Sequence, residues 1–532
     1  MTGTRKSASW GTITLLSATA VFVYLQVFAL PAIPLIDTGG DQPIYLFNAI
    51  RLLQGQVMYR DFFEFTAPGA ETVYCALFKL LGVRAWVPEA SLVLLGVCLA
   101  WLSLVIARKL LGGAAMFLPA LLFLTFPYQY NLDATHHWFS TLFVTAALAI
   151  LIENRSAQRV LAAGVCCGVA LWFTQSRGLV ALLGLAVFLI WESHRKKQPW
   201  RSLLRLELCL LGSFVATVLV SNSYFAWKAG LKQFLYCTIS FGLKYYPSES
   251  SNNWRVYGLS VPSYHFWYRS PDLFIWLSIH ILTPLIYILF FVRAWREAPK
   301  NPSQPWDRLM LVNVVGLSLF LGIAPAPSYA RLCTVSLPAL ILLVWFAKWP
   351  GRFERVVYGL LWFVVLALGV YETVSIQDVR WKTLDLPTGH VALYEPDYSS
   401  CRWLATHVKP SDYLFGESFM NYALLLRNPA PIDFVTSTDY TRPEQVQAVI
   451  ESLERTRTRW VVIWYLFLDV PGPGNHLAPL HAYLLSHYHV DARTLYNYEE
   501  VWERNGQHPD ALPPEQPREH YVRSSREVQT PP

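Results

Sequence analysis

Apolar runs follow one another along the first 371 residues, and this succession constrains the fold more than any other feature of the sequence. A helix needs about 20 mostly apolar residues to cross the hydrocarbon core of a bilayer. Charged residues make up only 15% of the chain, whereas soluble globular proteins have about 25%. The sequence therefore predicts a polytopic α-helical membrane protein with about eleven transmembrane helices. The predicted spans are Trp10–Leu30, Trp86–Ala107, Ala114–Phe126, Trp138–Ile152, Val160–Phe173, Leu179–Trp191, Leu203–Trp227, Leu273–Val292, Met310–Ile323, Leu332–Phe346 and Val356–Tyr371.

Basic residues occur in every second loop between these runs, for example at Arg108–Lys109, Arg195–Lys197 and Lys348–Arg355. Lys and Arg are enriched in cytoplasmic loops of membrane proteins. The N-terminus and residues 195–205 are therefore expected on the cytoplasmic side. With an odd number of spans, the first loop and the region after residue 372 then lie outside. The net charge of +7 is explained by this topology, so nucleic acid is not an expected partner.

The eight cysteines do not have the spacing of a disulfide framework or a zinc site. Cys166 and Cys167 lie between Gly164 and Gly168 inside an apolar run. Small residues at such spacing let two helices approach closely in a membrane. This segment is therefore predicted to be a helix-packing face.

After the last apolar run the apolar segments become short and alternate with polar ones, and residues 376–504 are predicted to form a small extracytoplasmic α/β domain. The segments Asp412–Gly416, Ala430–Val435 and Trp460–Tyr465 are predicted to be strands, and Cys401–Val408 and Glu444–Arg455 to be helices. Residues 505–532 are rich in Pro, Arg, Glu and Ser and are predicted to be disordered. The transmembrane domain is accordingly assigned to residues 1–375, with its first external loop at 31–85.

Five carboxylates lie in or beside this first loop, at Asp37, Asp41, Asp61, Glu64 and Glu71. Ionisable groups crowded at a membrane end indicate a functional site, because charge there is costly to maintain. Asp41 opens the predicted helix DQPIYLFNAIRLL. Two interpretations are open: the Asp41 side chain caps this helix, or it serves as a general base, its charged form stabilised by the helix N-terminus.

The segment DQPIYLFNAIRLLQG resembles the first external loop of GT-C glycosyltransferases, the membrane enzymes that include protein O-mannosyltransferases and the lipid A aminoarabinose transferase. Asp41, Pro43, Tyr45 and Ala49 match the family pattern Asp-Glu-Pro-x-Tyr-x-x-x-Ala. The resemblance implies that Asp41 is the catalytic carboxylate. Gln42 departs from the pattern, because the family often has a second acid there.

Asp37 could replace that second acid. The segment YRDFFEFTAPG resembles bacterial members with Tyr-x-Asp-Phe and Pro-Gly before the next helix, which implies a site role for Asp61. Glu64 and Glu71 are expected to be solvated.

A lipid-phosphate donor would require cations on the face that carries the base. The external candidates are Arg177, Arg331, His136, His137, Lys244 and Arg255. The alternative for each is a cation that extends to the membrane interface. The pair His136-His137 could bind metal, but no Cys or acid nearby in the sequence has the spacing of a metal site, so no metal site is predicted. His476, His481, His487 and His489 are scattered and are expected to be surface residues.

The resemblance implies an inverting glycosyltransferase of the bacterial inner membrane that uses a polyprenyl-phosphate-linked sugar on the extracytoplasmic side. Its partners would be membrane lipids and a glycan, lipid or protein acceptor, and no organic cofactor is expected. One alternative is a transporter or flippase of lipid-linked glycans, which would place essential charges near the bilayer centre. A non-catalytic membrane scaffold is another, but it gives no reason for the carboxylates of the first loop.

Overall fold

The computed structural model describes residues 2–36, 40–259, 276–348, 352–464, 475–493 and 499–506. Seven of its helices are long and apolar enough to cross a membrane. An eighth candidate is a pair of helices, Tyr329–Val335 and Leu337–Phe346, bent by 62° at Ser336. The prediction of a polytopic helical membrane protein is confirmed, whereas the count of eleven spans is not. Two further apolar helices, His136–Leu151 and Ala157–Phe173, are shorter than the membrane-length class.

The helices of the first 407 residues run in the following order. They are α1 (Thr2–Val27), α2 (Gln42–Leu53), α3 (Gly69–Leu81), α4 (Trp86–Ala107), α5 (Leu118–Phe123), α6 (His136–Leu151), α7 (Ala157–Phe173), α8 (Gln175–Arg195), α9 (Trp200–Ala229), α10 (Leu231–Leu235), α11 (Gly242–Lys244), α12 (Val256–Leu259), α13 (Thr283–Glu297), α14 (Trp306–Ile323), α15 (Tyr329–Val335), α16 (Leu337–Phe346), α17 (Arg352–Gln377) and α18 (Glu395–His407). Short strands β1 (Phe28–Ala29) and β2 (Ile33–Pro34) follow α1, and the hairpin β3 (Lys382–Leu386) and β4 (Gly389–Leu393) follows α17.

Glycines set the distance between α7 and α9. A Cβ on Gly164 would collide with Ser213 Oγ and the Leu210 carbonyl, and one on Gly168 would lie 2.6 Å from Thr217 Cβ. The predicted small-residue packing face is therefore confirmed. Cys167 is buried, and all eight cysteines are free thiols.

The first long loop, residues 31–85, folds back on itself between α2 and α3. The Tyr59 hydroxyl donates to the Thr66 carbonyl at 2.6 Å, and the Arg51 guanidinium lies 4.3 Å from the centre of the Phe62 ring. Close packing explains the glycine at the start of α3, because a Cβ on Gly69 would lie 2.5 Å from the Trp172 carbonyl oxygen. Gly69 thus lets α3 meet the end of α7, and the loop acquires a fixed position over the bundle.

The chain forms two compact units, residues 1–407 with 422–425, and residues 408–421 with 426–532. The second unit begins at Val408, whereas the sequence placed the boundary at 376. The reason is that β4 belongs to the first unit, where Ala392 pairs with Leu35.

The second unit contains a four-stranded sheet in the order β5 (Leu414–Phe415), β6 (Trp460–Trp464), β8 (Glu499–Arg504), β7 (Tyr488–Arg493). β5 and β6 are parallel, and the other pairs are antiparallel. The remaining helices are α19 (Ser418–Ala423), α20 (Pro443–Thr456) and α21 (Ala478–His487).

Two predicted strands and both predicted helices in this region are present, but the predicted strand Ala430–Val435 is wrong. That segment is irregular because the Asn428 side chain bonds to its backbone: Asn428 donates to the Ile432 carbonyl and accepts from the Ala430 amide. Side-chain bonds of this kind compete with strand pairing. Residues 505–532 were predicted to be disordered, and residues 507–532 of this segment lie outside the described residues.

Candidate active site

Asp41 occupies the N-cap position of α2, but its carboxylate does not cap the helix. The side chain makes no capping hydrogen bond, and only its backbone carbonyl joins the first turn, accepting from the Tyr45 amide at 3.4 Å. Gly40, with φ +72°, turns the chain into the helix in a conformation that favours glycine. The capping interpretation of the Asp41 side chain is therefore not supported, and the partly exposed carboxylate is available for chemistry.

Two histidines at the start of α6 meet Asp41. One ligand atom of each of Asp41, His136 and His137 lies within 4.8 Å of the other two. Nδ1 of both imidazoles is buried without a hydrogen-bond partner among the described residues. The fold thus brings a carboxylate from a distant segment, Asp41, to the two histidines. One carboxylate and two imidazoles form a ligand set that suits Zn²⁺ or a similar divalent cation.

Arg331 brings a positive charge to the same place from the start of α15. Its guanidinium donates to the Tyr246 hydroxyl at 2.8 Å and the Ala326 carbonyl at 3.0 Å. Further bonds reach Asn252 Oδ1 and the Ser251 carbonyl. The surrounding protein desolvates the Asp41 carboxyl and raises its pKa, and the Arg331 charge acts in the opposite direction. Arg331 remains partly exposed, so it can still meet a ligand.

Arg177 is fully buried and is held by protein groups. One terminal nitrogen donates to the His137 carbonyl at 2.7 Å and Thr141 Oγ1 at 2.9 Å. The other donates to Thr334 Oγ1 at 2.7 Å. No carboxylate of the described residues lies within 4 Å of the guanidinium. Arg177 therefore joins α6, α8 and α15 and adds an uncompensated positive charge behind the site.

Two loop carboxylates expected to be solvated are buried, and that prediction is wrong. Glu64 is 6% exposed and accepts from the amides of Phe65 and Thr66 and from Asn48 Nδ2. Glu71 is 0% exposed in the first turn of α3. Burial raises the pKa of Tyr45 on α2, and the charges of Asp41, Glu64 and Glu71 act in the same direction. The loop folds over its own acidic residues, and the spacing of apolar residues in the sequence does not predict this burial.

Asp61 is engaged away from this cluster. Arg60 donates two bonds of 2.8 Å to its carboxylate, and the Val57 amide donates one of 2.7 Å. Chiefly because of the bond from Arg60, the pKa of Asp61 is lowered. These contacts give Asp61 a part in shaping the loop.

Among the residues that the structure describes, neither Lys244 nor Arg255 contacts Asp41. Lys244 is exposed, with its ammonium 5.0 Å from the Tyr245 ring centre. Arg255 is exposed on the same aromatic segment. Asp37 lies outside the described residues.

Two residues that sequence reasoning missed complete the site. The Gln42 side chain accepts from the Ala134 amide at 2.6 Å, which ties the loop before α6 to the start of α2. A Cβ on Gly40 would lie 3.3 Å from Asp133 Oδ2, so a second carboxylate adjoins the turn that carries Asp41. The available signal was the position of Asp133 in NLDATHH, directly before the paired histidines.

No family model and no curated protein matches the sequence. Solved structures match the fold over almost the whole chain. ArnT from Cupriavidus metallidurans bound to undecaprenyl phosphate is 15% identical, with a TM-score of 0.59, over 94% of this chain and 99% of ArnT. Its apo form gives a TM-score of 0.57 at 15% identity, over 93% and 98% of the two chains. ArnT is an aminoarabinose transferase of the GT-C superfamily. The predicted fold is thus confirmed: the chain is a multi-pass membrane protein with the GT-C fold.

Proposed function

We propose that this protein is a membrane glycosyltransferase that transfers a sugar from a polyprenyl-phosphate donor to an acceptor hydroxyl. The observation that carries the proposal is the juxtaposition of Asp41, whose carboxylate makes no capping bond, with the cation Arg331. A base and a phosphate-binding cation at one point are what this transfer requires.

The donor is supported by the charge of the site and by the fold. Buried charges in proteins are normally paired, yet no carboxylate of the described chain pairs with Arg177 within 4 Å. Together with Arg331 it makes an electropositive region beside the loop. ArnT, which shares the fold, was solved with undecaprenyl phosphate. A lipid phosphate at Arg331 would supply the missing negative charge. Arg177 would contribute its electrostatic field and would hold α15 in position.

We propose the following reaction at these positions. The acceptor oxygen attacks the anomeric carbon from the face opposite the phosphate, which inverts the configuration. A new carbon–oxygen bond forms as the bond from the anomeric carbon to the phosphate oxygen breaks. The acceptor proton passes to Asp41, and the electron pair leaves on the lipid phosphate, whose charge Arg331 stabilises. The raised pKa of Asp41 brings the base closer to the pH of the cell, where proton transfer is most effective.

A divalent cation fits the same place. Asp41, His136 and His137 would hold it, and when bound it would supply positive charge near the departing phosphate. In that arrangement Asp133 becomes the carboxylate next to the site that could accept the proton. Testing both carboxylates separates these two assignments.

Topology supports an extracytoplasmic reaction. The basic loops between predicted spans indicate a cytoplasmic N-terminus and an external first loop, so we propose the outer face of a bacterial inner membrane. A flippase is less well supported, since Asp41 and Arg331 lie at helix starts next to loops rather than in the middle of a span.

The proposal is tested with purified protein in detergent and a panel of synthetic polyprenyl-phosphate sugars. Release of polyprenyl phosphate is followed by mass spectrometry, with candidate acceptors supplied in turn. We expect release by the wild type and loss in Asp41→Asn, and no loss in Asp385→Asn, a matched change at an exposed carboxylate. Equal release by wild type and Asp41→Asn would contradict the assigned base. Donor movement across vesicles without release of polyprenyl phosphate would favour the flippase.

A further inference from the structure

The edge of the sheet in the second unit carries a group of metal-ligating side chains apart from the site at Asp41. His489 on β7 is the pairing partner of Glu503 on β8. Asp491 lies at the register shift between Val490 and Ala492. A β-bulge of this kind re-aims a side chain. One ligand atom of each of His489, Asp491 and Glu503 lies within 4.8 Å of the other two.

Outer hydrogen bonds orient two of these groups. Nδ1 of His489 lies 3.0 Å from Asn505 Oδ1, an oxygen that can only accept. The imidazole therefore donates from Nδ1, which leaves the lone pair on Nε2, 3.8 Å from Glu503 Oε2. Arg459 donates from two nitrogens to Glu503 Oε1, at 2.7 and 2.8 Å. The second oxygen of Glu503 is thus the one presented to the histidine. Metal-binding histidines and carboxylates are held by partners of this type.

His489, expected to be a surface residue, lies at the surface with most of its side chain covered. Its side chain is 11% exposed, and that of Glu503 is 3% exposed. Asp491 is exposed, so the group is open to solvent on one side. An imidazole lone pair and two carboxylate oxygens converge there, and Arg459 approaches Glu503 from its other oxygen. These three electron-rich atoms offer a set of ligands to a cation.

We propose that His489, Asp491 and Glu503 bind a divalent transition metal ion, with Zn²⁺ the best match to one imidazole and two carboxylates. Bonds of about 2.0–2.2 Å to each ligand require the three atoms to draw closer than they are, which the exposed Asp491 side chain can do by changing rotamer. The fourth position faces solvent. Since β7 is the edge strand of the sheet, the ion would fasten that edge to β8.

The test measures metal binding by the full-length protein in detergent. Protein stripped with a chelator is titrated with Co²⁺ and its visible absorption recorded, and Zn²⁺ affinity is then found by displacement. Asp41→Asn is the background for all samples, because it weakens the other candidate site. His489→Ala and Asp491→Asn are compared with His487→Ala, a change at an exposed histidine of the neighbouring helix.

We expect the background protein and His487→Ala to show the Co²⁺ spectrum, and His489→Ala to lack it. In Asp491→Asn we expect the affinity for Co²⁺ to fall at least tenfold. Binding that neither His489→Ala nor Asp491→Asn alters would overturn the proposal. So would the absence of binding below millimolar Co²⁺, which would leave the three side chains with a structural role at the edge of the sheet. Should His489→Ala fail to fold, the exposed Asp491→Asn decides the question. Because no measurement uses transfer activity, the outcome is independent of the proposed function.

Discussion

Arg177 and Thr334 are joined by a hydrogen bond of 2.7 Å that links α8 to α15. α15 is the short half of the bent pair, and Arg331 lies one helical turn before Thr334. The same guanidinium bonds to the His137 carbonyl on α6. A single buried cation therefore fixes the relative positions of the histidines and of Arg331.

Replacing Arg177 should impair both stability and turnover. Arg177→Ala leaves buried acceptors unsatisfied, and a hydrogen bond to a charged group contributes about 1.5–3 kcal/mol. Arg177→Lys keeps the charge but loses the forked geometry, so we expect it to lie between wild type and Ala. Thermal unfolding in detergent and donor turnover measure the two effects. Unchanged turnover in Arg177→Ala would remove this residue from the site.

Arg331 should act on the donor more than on the fold. It is partly exposed at a helix start, so Arg331→Ala is expected to raise KM for the donor while shifting the melting temperature less than Arg177→Ala does. Arg331→Lys should recover part of the affinity, because the charge remains. Donor titrations of the three proteins check this. A KM equal to that of the wild type in Arg331→Ala would instead indicate a structural cation.

Asp41→Asn separates chemistry from folding. Because the Asp41 side chain makes no capping bond, and because Asn is also a good N-cap residue, abundance and melting temperature should hold. Loss of a general base lowers the rate by about 10²–10⁴-fold. Asp61→Asn, which gives up its ion pair with Arg60, should lose less activity. Full activity of Asp41→Asn together with a dead Asp133→Asn would transfer the role of base to Asp133.

The acid side of the pH profile should report Asp41. Desolvation raises the pKa of its carboxyl above the ordinary value, and the base works only when deprotonated. kcat/KM should therefore fall as the pH drops through this raised pKa, at a higher pH than an exposed aspartate would give. The profile is measured with saturating acceptor. In Asp41→Asn the residual rate should lose this acid limb, and its persistence would assign the limb to another group.

Cysteine labelling tests the proposed sidedness. In a cysteine-free background, Gln198→Cys lies in a basic loop predicted to be cytoplasmic, and Tyr440→Cys lies in the second unit, predicted to be external. An impermeant thiol reagent applied to intact cells should label position 440 alone. Both positions should react after the cells are opened, which controls for buried sites. The reverse pattern would place the reaction on the other face.

The sequence reveals what depends on local chemistry. The start of α2 is readable because Pro43 and the apolar spacing act within one turn, and the strand at Trp460 is readable from its own apolar run. The predicted strand Ala430–Val435 is wrong because its apolar pattern suits a strand, whereas hydrogen bonds from the Asn428 side chain hold the backbone in an irregular conformation. The bend at Ser336 divides a predicted span that also contains Pro338. Pro338 lies in the first turn of α16 and has no amide to donate, so the break has a local signal that counting apolar residues does not register.

By itself the sequence determined the class of protein and singled out Asp41 as the candidate base, because transfer into a bilayer is set run by run and the motif around Asp41 is contiguous. Only the tertiary structure decided what surrounds that carboxylate. The site brings together segments that are far apart in the chain. Asp41 meets His136 and His137, the loop buries Glu64 and Glu71, and Arg177 bonds to Thr334. Such contacts arise from the packing of helices against one another, and no local pattern of residues encodes which loops will meet.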